Sequence, residues 1–294
     1  MNFFIAEIIN AIKLGSIYAL IAIGYSIVYS ILGLINFAHG DLMMVAVYSL
    51  WVLMNLKIPF ALAVILAVII TMLLAIITER VAYRPLLNNG EETLIITSLA
   101  VSILLQSISQ AVFGIDNKAL KVPDFFTKRI QIADFTVSVM NFVILAVTIV
   151  SVIVLAFILK KTRIGLAMRA IKDNSLAADF MGINRKAVIV AAFGIGSALA
   201  ALAGITYTGE YVSFDPQMGF MLGIKAFIAA VIGGLGSITG AALGAFVLAF
   251  LEIFFAGYLP DSIASYQTVF VFWIVILVLL VRPDGLLGKN AKRS

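Results

Sequence analysis

Nine apolar runs, at roughly 5–32, 38–56, 60–78, 93–114, 138–159, 187–208, 220–235, 240–258 and 266–281, take up most of the chain. They are long and nearly free of charge, which is a helical pattern and not the period-two alternation of a transmembrane barrel. At roughly 20 residues per span there is room for eight or nine helices and for no sizeable soluble domain. The expectation is an all-α, polytopic helical membrane protein with one transmembrane domain over residues 1–294. Two runs are interrupted: Ile31–Gly40 carries Gly33, Asn36 and Gly40, and 220–235 ends in Gly233-Gly234-Leu235-Gly236-Ser237. A helix broken at membrane depth is tolerated where the freed backbone faces protein or water, and such breaks line the pathway of many transporters. Close helix packing through small residues is the other reading.

Two polar stretches separate the runs. Ile115–Asp134 mixes charges: Asp116, Lys118, Lys121, Asp124, Lys128, Arg129 and Asp134. Lys160–Lys186 is basic, with seven Lys/Arg against two Asp over 27 residues. The positive-inside rule puts it in the cytoplasm, together with the tail that carries Arg282, Lys289, Lys292 and Arg293 against Asp284. Alternation then places 115–134 and GEYVSFDPQMG (209–219) outside. Nine crossings put the N-terminus outside and eight put it inside.

The basic insert reads as two short surface helices. Thr162 and either Asn174 or Ser175 are placed as caps, and Gly182 as a stop. Ala177, Ala178 and Gly182 give a small-residue face that presses into a groove of another protein, and Arg169 and Asp173 stand i,i+4. A cytoplasmic partner is the simplest reason to display them.

Composition narrows the chemistry. Hydrophobic residues make up 63% and charged residues 12%, which excludes a soluble globular protein. The net charge of +5 sits in short loops and reads as topology bias, not as a nucleic-acid surface. The N-terminus lacks a basic n-region and a small-residue cleavage site, so it reads as mature sequence. The absence of cysteine excludes a disulfide framework. His39 is the one histidine, flanked by Asn36 and Asp41. One His without Cys cannot close a zinc shell, so no metal site is expected. Asn36 and His39 are placed to cap the following helix and tie its turn down. A pathway or gating role is the alternative for Asn36, His39, Gly40 and Asp41, and for Gly233, Gly234 and Gly236. Lys225 and Glu252 lie inside late apolar runs, where they pair across helices or snorkel to opposite interfaces. No P-loop, no H-E-x-x-H and no Ser/His/Asp constellation is present, so no catalytic residue is expected.

Five segments together resemble a known family: INFAHGDLMM (35–44), ERVAYRPLLNNGEETLIITSLAVSILLQS (79–107), TRIGLAMRAIKDNSLAADFMGIN (162–184), FIAAVIGGLGSITGAALGAF (227–246) and LLVRPDGLLG (279–288). They are similar to permease subunits of branched-chain amino acid ABC importers, of the LivH type. The resemblance makes 160–186 the cytoplasmic coupling loop. Ala177, Ala178 and Gly182 fall on the Ala, Ala and Gly of the importers' E-A-A-x-x-x-G motif, and Leu176 stands where the Glu would be. It implies two ATPase subunits that bind ATP and Mg, a sister permease, and an extracytoplasmic binding protein docked near 115–134 and 209–219, where Glu210 and Asp215 are candidates. This chain itself would bind no cofactor. The location implied is the bacterial inner membrane, multi-pass, with a cytoplasmic C-terminus. Urea, amides or other amino acids remain alternative cargoes, and an ion-coupled secondary transporter is the alternative class.

Overall fold

The structure, a computed structural model, describes residues 2–87, 89–132, 135–260 and 263–288. Asp134 of the long loop and Lys289, Lys292 and Arg293 of the tail lie outside the described residues. Each apolar run forms a helix. The chain passes through α1 (Asn2–Leu32), α2 (His39–Asn55), α3 (Phe60–Thr78) and α4 (Glu91–Phe113), with a π-turn and a 3-10 turn over 79–86. Next come β1 (Lys118–Ala119), α5 (Asp124–Thr127), β2 (Arg129–Ile132), β3 (Phe135–Ser138) and α6 (Val139–Lys161). Two short helices, α7 (Arg163–Asp173) and α8 (Ser175–Phe180), lead into α9 (Arg185–Tyr211). β4 (Ser213–Phe214), α10 (Met218–Gly233), α11 (Ile238–Tyr258) and α12 (Gln267–Val281) follow. The expected all-helical class gains two small ladders, β1 with β4 and the β2–β3 hairpin, because backbone outside a helix must still pair.

Among the described residues, six helices are long and apolar enough to cross a membrane: α1, α3 with its extension to Leu86, α4, α6, α9 and α11. α2, α10 and α12 are shorter, at 17, 16 and 15 residues. α1 is apolar all round and therefore belongs at the centre of the bundle. From Ile17 to Ile23 none of its residues exceeds 1% exposure. α3 shows the opposite pattern. It buries small residues at every fourth position, Ala63, Ala67, Thr71 and Ala75, and leaves Ile65, Ile69, Leu73 and Ile77 exposed, as a lipid-facing helix should.

Contacts define two ends of the bundle. Lys13 pairs with Glu210 (2.7 Å) and Phe3 meets Tyr258, so the start of α1 and the ends of α9 and α11 share one end. The opposite end holds α7, the end of α1 and the turn between α10 and α11, where Lys172 donates to the Gly236 carbonyl (2.9 Å).

The helices fall into two inverted halves. One constant shift along the chain carries Leu32 onto Tyr211, each the last residue of a long helix. The same shift carries Gly33 onto Val212 and Lys57 onto Gly236, all four with positive φ. It carries Asn36 onto Asp215, and both side chains accept the N–H two residues on, from Ala38 (3.1 Å) and Gln217 (2.7 Å). It carries Gly40 onto Gly219, each the second residue of a short helix. The halves α1–α4 and α9–α12 therefore share one plan: a long helix, a six-residue return, a short helix, then two more helices. α1 and α9 run in opposite directions, so the repeat is inverted, as in many membrane transporters.

Candidate functional site

Segment 33–38 returns the chain from the end of α1 into the protein, and its polar groups are spent on neighbours. The Asn36 carbonyl accepts from Tyr83 Oη (2.6 Å) as well as from Ala38 N–H. Ser98 on α4 accepts the Phe37 N–H (3.1 Å). Asp41 accepts from Ser102 Oγ and from Gln106 Nε2 (3.1 Å), both also on α4. Asn36 thus ties the turn down, while Ala38 is the N-cap residue of α2 and has no side-chain cap. His39 lies with its ring against Tyr25 (centroids 4.6 Å), Gly24 and Gly196, and its Nε2 has no hydrogen-bond partner. Asn36, His39, Gly40 and Asp41 are all buried within the chain.

Gly40 marks the crossing of the two inverted halves. A Cβ added there would meet the Gly219 carbonyl oxygen and lie 2.7 Å from Gly223 Cα, so α2 and α10 touch backbone to backbone. Glycine is what permits that approach.

Gly233, Gly234 and Gly236 form the turn between α10 and α11. Gly233 packs on Gly240, and the C-terminal segment folds back over the turn. Leu286 N–H donates to the Ile232 carbonyl (2.7 Å) and Leu287 N–H to Gly233 (3.0 Å), satisfying carbonyls that the helix end leaves open. Lys172 binds the same turn from α7. The sequence places these glycines at a break, and the structure makes that break a turn joined to the basic insert.

The insert folds as its caps predict. Thr162 Oγ1 accepts from Gly165 N–H and Asn174 Oδ1 from Ala177 N–H, and Gly182 follows α8 with φ of 78°. Among the described residues, Arg169 and Asp173 make no ion pair with each other. Of the small residues, Ala178 faces the chain's own core at 3% exposure, while Ala177 and Gly182 are exposed. The outward face is apolar. Leu176, Phe180 and Met181 are 70%, 89% and 83% exposed. Sequence reading passed over Phe180 and Met181, although two large apolar residues in a basic insert were the available signal.

The second return, 212–217, is only partly a surface loop: Val212, Ser213 and Gln217 are exposed. Phe214 is buried, and Pro216 and Met218 with it. Glu210 is engaged with Lys13, and Asp215 lines a cavity of about 280 Å³ with Tyr207, Gln217, Met218, Leu222 and Lys225. Lys225 reaches across to Glu252 on α11 (3.0 Å), which also accepts from Tyr18 Oη on α1 (2.9 Å). The pairing option for Lys225 and Glu252 is the one the fold adopts. A larger cleft, of about 340 Å³, lies among α2, α3 and α4 with an almost wholly apolar lining.

Comparison with known proteins identifies the family. The family described as "Branched-chain amino acid transport system / permease component" matches residues 7–279. The chain is 38% identical over 98% of its length, and 96% of the relative's, to the high-affinity branched-chain amino acid transport system permease protein LivH of Escherichia coli. It is 36% identical, covering 97% and 96% of the two chains, to the corresponding protein BraD of Pseudomonas aeruginosa. The autoinducer 2 import system permease protein LsrC of Escherichia coli is 32% identical over 48% of this chain and 43% of its own. No solved structure matches.

Proposed function

Because the chain belongs to the branched-chain amino acid permease family, we propose that it is the membrane subunit of an ATP-driven importer of branched-chain amino acids. The observation that carries the mechanism is the apolar tip of α8, Leu176, Phe180 and Met181, held at the basic end of the bundle. Large apolar side chains exposed on a charged surface mark a protein contact. Here the partner is an ATPase subunit. Ala177 and Gly182 stand on the docked face, Ala178 anchors α8 to the bundle, and Arg169 and Asp173 offer charges at the rim.

Closure of the ATPase pair moves α7 and α8, and Lys172 carries that motion to the turn between α10 and α11. The buried clasp of Asn36, His39, Gly40 and Asp41 transmits it between the inverted halves, and Gly233, Gly234 and Gly236 act as the moving turn. Nine traverses place the N-terminus outside and the C-terminus in the cytoplasm of the bacterial inner membrane. A sister permease completes the translocation path. An extracytoplasmic binding protein docks over 115–134 and the end of α9, with Glu210 and Asp215 at the mouth of the cavity beneath it. This chain hydrolyses nothing, and ATP and Mg are held by the partners.

The test is purification of the tagged chain from membranes in mild detergent. Two ATPases and a second permease accompany it, and Phe180→Asp loses the ATPases while keeping the second permease. A chain that purifies alone, or a Phe180→Asp variant that keeps its ATPases, sinks the docking assignment.

A further inference from the structure

An ionisable side chain inside an apolar helix must be paired or must face water. Lys225 does both. Its ammonium bonds Glu252, yet its side chain stays 28% exposed on the cavity it shares with Asp215. Glu252 is buried and also accepts from Tyr18, which ties it to α1. An ammonium has three donors, and Glu252 leaves capacity for a second acceptor. Asp215 spends Oδ1 on Gln217 N–H and keeps Oδ2 for another donor.

The corresponding positions of the first half carry no charge. The shift that superposes the two halves carries Asn36 onto Asp215, Ala46 onto Lys225 and Leu73 onto Glu252. The same return and the same short helix are thus built in the first half from neutral residues at all three places.

We propose that the cavity is a transit site for a free amino acid, with the α-ammonium on Asp215 and the carboxylate on Lys225. This rests on the importer reading above and specifies what the path recognises. Asp215 stands just before α10 and Lys225 roughly two turns into it, so both charges line the same cavity. Met218 and Leu222 supply the apolar wall for its side chain. The cavity, of about 280 Å³, has room for a small molecule. Urea or a neutral amide can hydrogen-bond both groups but neutralises neither charge, an anion meets Asp215, and a cation meets Lys225. Glu252 already shares the Lys225 ammonium, so the grip is weak, as passage requires.

The experiment uses the complete importer in proteoliposomes, with leucine-loaded binding protein, and reads leucine delivered per ATP hydrolysed. Asp215→Asn keeps the turn, since Asn36 makes the same turn in the first half, and removes only the charge. Lys225→Gln removes the other charge. Each variant is expected to lower the ratio about tenfold, the effect of one charge-assisted hydrogen bond. An unchanged ratio in both variants overturns the site, whether or not the two rates fall together. A drop in one variant alone overturns the paired reading. No leucine uptake by the unmodified complex overturns the branched-chain cargo itself, and the site with it.

Discussion

Segment 33–38 turns back between α1 and α2 with Gly33 at φ 70°, and segment 212–217 turns back between α9 and α10 with Val212 at φ 63°. Both use an Asx turn, and both feed a short helix whose second residue is glycine. Their surroundings differ. The first return is stitched to α4 and to Tyr83 by side-chain hydrogen bonds, and Asn36 and Asp41 are taken up within the chain, although His39 Nε2 just beyond it has no partner among the described residues. The second has Asp215 and Lys225 on a cavity, with bonding capacity left over. In apolar surroundings a satisfied polar group locks a structure, and an unsatisfied one invites a ligand. One backbone device therefore serves as a clasp in one half and as a binding wall in the other.

The hardest way to break this comparison is at the crossing itself. Gly40→Ala puts a methyl group into the backbone of α10, which cannot move without dragging α10 off α1 and α11. The expected loss is about 3 kcal/mol, at the upper end of overpacking costs. Gly182→Ala is the control. Its Cβ meets nothing within 4 Å, and only its positive φ resists, at about 1 kcal/mol. Melting of the purified complex in detergent ranks the two. A Gly40→Ala protein that melts with or above Gly182→Ala would falsify the backbone contact between the halves.

The sequence made the helices legible because lipid-facing and core-facing runs are long and apolar whatever packs on them. The caps of the insert were legible for a local reason, since Thr162 and Asn174 bond within three residues. The inverted repeat was not. Its shared features are backbone angles and hydrogen bonds; the two returns share no identical residue, only the related pair Asn36 and Asp215, and Gly40 matches Gly219 just beyond them. The cavity escaped for the same reason. Asp215 and Lys225 look unrelated until the return segment folds inward and sets them on one wall. Ala178 read as a docking residue because spacing cannot say which face of a six-residue helix points home.

A reciprocal swap sharpens the contrast at a middle scale of effect. Asn36→Asp keeps the turn but buries a carboxylate at a position that is 2% exposed, with Tyr83 and one backbone N–H as donors. The expected cost is about 2 kcal/mol. Asp215→Asn at the half-buried equivalent position should change stability by less than about 0.5 kcal/mol. Parallel melts of the two variants test this. Equal losses at both positions sink the distinction between a closed and an open return.

The smallest effect tests strain at the open return. Val212 is β-branched and sits in the left-handed region, where its counterpart is Gly33. That conformation costs an L-residue about 1–2 kcal/mol. Val212→Gly removes the strain, but glycine also gains about 0.4–1 kcal/mol of freedom in the unfolded chain, which acts against it. Val212 is 43% exposed, so little packing is lost with its side chain. The balance predicts a net gain of about 0.5 kcal/mol, read as a small rise in melting temperature. A fall instead means that Val212 is held by packing and not merely tolerated. The second return would then be as tightly built as the first, and its open cavity would need another cause.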